Sequence, residues 1–256
     1  MKNNSDIFVA SEKFKILSRH AIANLHLTTS LRILDKWSLT LNNNFIECKR
    51  NLKNLRKIPS DTEQNEYNLD TILFMQCSLG CLKSMFDVLI RIKREDNFNA
   101  WASLIDAYDY LKIAESYIDK YQSTKNETQP GIEFLLKKCR EWEVVMFPTN
   151  QAYTSPGFKE TVGLCSICNN SFLNCEHIEG YIYFGKYCKR IERHIIEADH
   201  IALVEAPRDK RCIVTTRHDE ENYVIDFFSR ERIEGKNDPD PQYYQTVFLN
   251  INGVDL

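Results

Sequence analysis

A chain of 256 residues that is 43% hydrophobic and 27% charged has ordinary globular composition and enough length for a real core. Nine cysteines, an odd number, argue against a secreted disulfide framework. The opening MKNNSDIFVASEKFKIL lacks the apolar run of a signal peptide, and no later segment reaches about 18 apolar residues without a charge, so a soluble, cytoplasmic protein with reduced thiols is expected.

The net charge of −3 hides a polarity. Residues 1–57 carry eleven Lys or Arg against four Asp or Glu, whereas residues 219–256 carry three against nine. A basic end can meet phosphate, with Lys49, Arg50, Lys53 and Arg56 as the candidate contacts. A solvated helix face explains the same charges, and no aromatic stacking motif is interleaved with them.

The first 145 residues read as helices. Leu17, Ile22, Leu25, Leu31, Leu34, Trp37 and Leu41 recur at helical spacing with no Gly or Pro from Phe14 to Arg56, giving one long helix or two broken near Thr28 to Ser30. KIPSDTEQNEYN reads as a loop. LDTILFMQCSLGCLKSMFDVLIRIKRE is apolar nearly all round, as suits a helix in the middle of a bundle, with Cys77 and Cys81 as small core hydrophobes. A further helix starts at Asn97 or Asn99 and buries Trp101, Leu104, Ile105, Tyr108, Leu111, Ala114 and Ile118, leaving Asp106 and Asp109 to solvent. A last helix runs from about Ile132 to Val145 and ends before Pro148.

Beyond that point the helical period gives way to short alternating runs, and most of the glycines and prolines are found there. GYIYFGKYC reads as a hairpin; DHIALVEAP and RCIVTTR read as strands flanking a turn at Pro207. NYVIDFFS and YYQTVFLNI are further strands, and CKRIERHIIEA a single helix. The expected fold is α+β: a helical bundle over residues 1–147 and a small zinc-stabilised antiparallel α+β module over residues 148–256.

The densest chemistry is LCSICNNSFLNCEHIEGYIYFGKYC, residues 164–188. Cys165 and Cys168 form a Cys-x-x-Cys pair whose short spacer turns both thiolates toward one ion. Cys175 and His177, two apart in extended chain, point to one side and can close a tetrahedron. Cys188 competes for a place in the same sphere. Four protein ligands leave no open position for water, so the expected Zn2+ is structural. A redox pair at Cys165 and Cys168 fits less well, because NNSFLNC is not the helix such a pair should open. The chain has no His-Glu-x-x-His, nor the His-x-Glu with Pro-Cys-x-x-Cys of the zinc deaminases.

CSIC, CEHIEG, YFGKYC and HIALVEAPRDKRC together resemble the C-terminal zinc-binding region of uncharacterised bacterial and phage-associated proteins, over about residues 160–215. The resemblance implies a bacterial or phage-like origin and association with antiviral gene clusters, and brings no reaction with it. The expected function is a non-catalytic adaptor or accessory subunit of an intracellular complex, with Tyr181 and Tyr183 as contact or packing residues. Nucleic-acid binding through the basic helix and zinc module is the first alternative. An enzyme using His194, Asp199, His200 or His218 is the second.

Overall fold

The computed structural model describes residues 2–58, 62–146, 152–219, 221–226 and 228–237. Five helices come first: α1 (Lys2–Leu27), α2 (Leu31–Leu55), α3 (Glu63–Lys93), α4 (Asn97–Lys120) and α5 (Lys125–Met146). The break in the first basic segment falls at Thr28 to Ser30, where Ser30 takes an extended N-cap conformation. α3 starts earlier than its apolar run suggests. The Thr62 side chain accepts the Asn65 N–H, and Glu63 and Glu66 in the first turn complement the helix dipole, so the second half of the polar stretch read as a loop, from Glu63 on, is helix. α5 likewise begins at Lys125 and not near Ile132, led in by a 3-10 turn at Gln122–Thr124, with Pro130 tolerated inside it.

α3 is the axis of the bundle. It packs chiefly against α2 and α4, and its buried residues run from Leu69 to Ile90 on all sides. It is long and apolar enough to cross a membrane by length and composition, yet most of its apolar window is buried inside the protein. Cys77 and Cys81 are fully buried in it, as expected of core thiols, and Cys139 of α5 is fully buried as well. Gly80 lets the Tyr110 ring of α4 lie close, since a Cβ there would stand 2.8 Å from Tyr110 Cζ.

The second part is built of short antiparallel pairs. β1 (Tyr153–Glu160) pairs with β6 (Ile195–Val204), β2 (Leu164–Cys165) with β5 (Arg190–Ile191), and β3 (Ile182–Tyr183) with β4 (Lys186–Tyr187). β7 (Thr216–His218), β8 (Tyr223–Asp226) and β9 (Arg232–Asn237) form a three-stranded sheet. With the helices before them, these make the α+β class that the sequence led us to expect.

Three local expectations are corrected. CKRIERHIIEA is not a helix but β5 and the start of β6, joined through Glu192 at φ 52. The two segments around Pro207 do not pair with each other, because β1 takes both: it runs along β6, and Tyr153 bridges to Ile213. Asp106 and Asp109, though partly exposed, are not left to solvent alone; they receive Arg211 Nη2 at 2.5 and 2.8 Å. The strand read at YYQTVFLNI lies outside the described residues.

The hairpin tip docks on the helices around Asp70, which is fully buried in α3. Its carboxylate accepts the Gly185 N–H at 2.5 Å, Lys120 Nζ at 2.7 Å and the Tyr121 hydroxyl at 2.7 Å. Lys120 also donates to Ile182 O at 2.9 Å and to Glu66 at 2.6 Å, and Arg56 donates to Gly185 O. A second contact forms at the other end of α4, where Trp101 Nε1 donates to Lys210 O at 2.7 Å and Lys210 reaches Glu143 at 2.5 Å. Tyr153, Ile182 and Ile213 join the buried cluster of the helices.

Candidate metal centre

The first pair of thiols sits on a tight turn leaving β2. Asn169, at φ 58, allows its own N–H to return to Cys165 O at 2.8 Å, while Cys165 N–H meets Asn170 O at 2.9 Å. Inside this turn the Ile167 N–H points at Cys165 Sγ, 3.4 Å away. The chain then makes a 3-10 turn at Phe172–Asn174 and leaves it extended, with Cys175 at φ −112 and ψ 151. That extended geometry returns Cys175 and His177 to the first pair, as their two-residue spacing requires.

One donor atom each from Cys165, Cys168, Cys175 and His177 lies within 4.8 Å of all the others. A zinc ion with Zn–S near 2.3 Å in a tetrahedron would set its sulfurs about 3.8 Å apart, so the group needs only a small contraction to close on one. His177 Nδ1 is buried and has no hydrogen-bond partner, although its ring is held edge-on to Tyr183 with centroids 4.8 Å apart. A buried imidazole nitrogen without a proton partner is costly, and a metal would satisfy it. Burial pushes the Cys165 thiol up, but the N–H groups of Cys168 and Ile167 outweigh it and bring it to about 7, toward the thiolate a metal takes. Burial pushes Cys175 up, and the neighbouring Cys165 and Cys168 add to it. The residues therefore form a site that can hold a metal ion.

Cys188 lies outside that mutual group, although its Sγ is 3.9 Å from Cys165 Sγ and the residue is fully buried. Burial and its sulfur neighbours push it up to about 12. Among the described residues no other group of His, Cys, Asp and Glu gathers in this way.

The remaining candidates are dispersed. His194, just before β6, and His200, on it, are exposed, and His200 pairs with its neighbour Asp199 at 3.1 Å. His218 is on β7 in a different sheet, with both ring nitrogens buried and without hydrogen-bond partners. In the basic segment Arg50 and Lys53 are exposed on α2, whereas the Arg56 guanidinium is engaged at the hairpin tip and burial there lowers its pKa. Tyr181 is exposed, and Tyr183 is half-buried against His177 with Lys120 over its ring.

Sequence reasoning missed the residues that seat this centre on the helices. Asp70, Lys120 and Arg211 are widely separated in sequence, and only Asp70, one acid in an apolar run, gave any signal. Comparison with protein-family models, with curated proteins and with solved structures returned no match to this chain.

Proposed function

We propose that this chain is a non-catalytic interaction protein whose strand-rich part is held together by one structural Zn2+ on Cys165, Cys168, Cys175 and His177. Three thiolates and one imidazole suit zinc over the harder cations, which prefer oxygen, and four protein ligands leave no place for a reacting water. Nine free cysteines suit a reducing compartment such as the cytoplasm. The bacterial setting and a role against phage rest on the resemblance over residues 160–215 alone.

The observation that carries the interaction reading is β6. It is ten residues long, pairs among the described residues with β1 on one edge only, and exposes Ile195, Ile196, Ile201 and Leu203 at 49 to 68%. Monomeric proteins blunt such an edge with charge, bulge or cover, so a long apolar one fits a partner's extended segment adding as a further strand. Glu197 is already paired with Lys159 of β1 at 2.6 Å and Asp199 with His200 at 3.1 Å, so the exposed aliphatics are what the edge offers a partner strand.

The test is a photo-crosslinker placed at Ile196 or Ile201 in host cells, with the crosslinked peptide sequenced. The expected result is one extended partner segment, lost when Ile201→Asp is introduced. Crosslinks only to solvent or to unrelated abundant proteins would overturn the reading, as would a zinc-bound chain that turns over a substrate.

A further inference from the structure

Resting on the metal reading above, we propose that Cys188 is a positioning residue for the centre: its thiol donates an S–H···S hydrogen bond to the zinc-bound thiolate of Cys165. In this way it sets how tightly the metal is held and how fast it leaves.

The charge of the sphere makes such a donor valuable. Three thiolates and a neutral imidazole around Zn2+ leave one net negative charge, and Cys165 carries its share in a fully buried position where water cannot solvate it. Several donors face that sulfur, the Cys168 N–H among them. The Ile167 N–H stands 3.4 Å away within the turn, and Cys188 Sγ stands 3.9 Å away across from it. Cys188 is held there from both sides of its backbone, since its N–H donates to Tyr181 O at 2.8 Å and its carbonyl accepts the Gly180 N–H at 2.9 Å. These bonds fix the Cys188 backbone beside Cys165, and its sulfur does not stand within the mutual group that the four ligands form.

Cys175 presents the contrast. Its sulfur faces the carbonyl oxygens of Phe172 and His177 at 3.9 and 3.8 Å, which accept from a thiol, while the His177 N–H favours its thiolate from within the same Cys-x-His segment. Cys188 is the donor to Cys165 that comes from outside the Cys-x-x-Cys turn. Partners of metal ligands typically change metal affinity by about 10 to 100-fold when removed. Cys188 is the residue to which that magnitude applies here.

The experiment uses the full chain loaded with zinc, and reads affinity and release rate by competition with a chromophoric chelator, with cobalt(II) absorbance as a second readout. Cys188→Val keeps apolar bulk without a donor; Cys188→Ser restores a donor. Valine is expected to weaken zinc binding about 10 to 100-fold and to speed release, serine to recover most of the loss, and the sulfur-to-cobalt charge-transfer intensity to stay at the three-thiolate level in both. Wild-type affinity in Cys188→Val would overturn the proposal by showing that Cys188 only fills space. A drop in charge-transfer intensity by one thiolate would overturn it by making Cys188 a ligand. A wild-type chain that takes up no metal would instead sink the underlying metal reading, and Cys165→Ser serves as the control that loses the ion outright.

Discussion

Gly185 at the hairpin tip meets two demands that no other residue meets. Its φ is +69, and a Cβ would stand 2.7 Å from Leu52 Cδ1 and 3.0 Å from Leu69 O, so backbone strain and overpacking act together. Gly185→Ala is expected to cost about 3 kcal/mol of stability by chemical denaturation, strain and steric terms each being about 1 to 3 kcal/mol. Its neighbour in space, Asp70, is buried and accepts from three donors, so Asp70→Ala leaves the Gly185 N–H and the Tyr121 hydroxyl without this acceptor and strips the Lys120 ammonium of one of its two carboxylates. Removing one member of a buried pair costs about 3 to 5 kcal/mol. Lys120 is partly exposed and keeps Glu66, which places the expectation at about 3 kcal/mol, the lower end of that range. A loss under about 1 kcal/mol would mean that the hairpin does not rely on this seat. Arg211 plays the same part at the other contact, where its pairing with Asp106 and Asp109 offsets the burial of its guanidinium and raises its pKa.

At the scale of elements, α3 and β6 are opposites. α3 is buried from Leu69 to Ile90 and its apolar residues have no choice of environment, so its sequence reads unambiguously. β6 is exposed along nearly its whole length, and IERHIIEADHIALV contains residues that suit a helix as well as a strand. By local preference alone its start suits a helix. Pairing with β1 decides the outcome, and the register carries bulges at Gly157/Phe158 and Lys159/Glu160 that local sequence does not announce. Because Ile201 contacts solvent in the chain alone, Ile201→Lys is expected to shift stability by less than about 0.5 kcal/mol while abolishing capture of the proposed partner strand. A large stability loss with capture intact would show that Ile201 belongs to the fold and not to an interface.

For the molecule as a whole, the helical core is built almost wholly from α2, α3, α4 and α5, whereas four of the strands are only two residues long. The strand-rich part therefore has little apolar burial of its own and leans on the metal and on its two seats on the helices. Cys165→Ser, Cys168→Ser, or a strong chelator is expected to open the chain beyond about residue 152 to proteolysis while most of the helical far-UV signal survives. Parallel loss of the helical signal would show that helices and strands unfold as one unit. Apo and metal-loaded chains melting at the same temperature would show that the four ligands do not stabilise the fold through a metal.

The sequence by itself determined the features that depend on near neighbours: the helical stretch with its break at Thr28 to Ser30, the buried α3, the hairpin at GYIYFGKYC, and a metal-ligand spacing in which two and two residues face inward. Each follows from periodicity, capping or turn chemistry within a few positions. Only the tertiary structure decided what long separation hides: that β1 stands beside β6, that Asp106 and Asp109 hold Arg211, that Asp70 and Lys120 receive the hairpin tip, and that Cys188 sits beside Cys165 but outside the mutual group. Charges and thiols look alike in sequence whether they face water or one another, and burial alone assigns them partners.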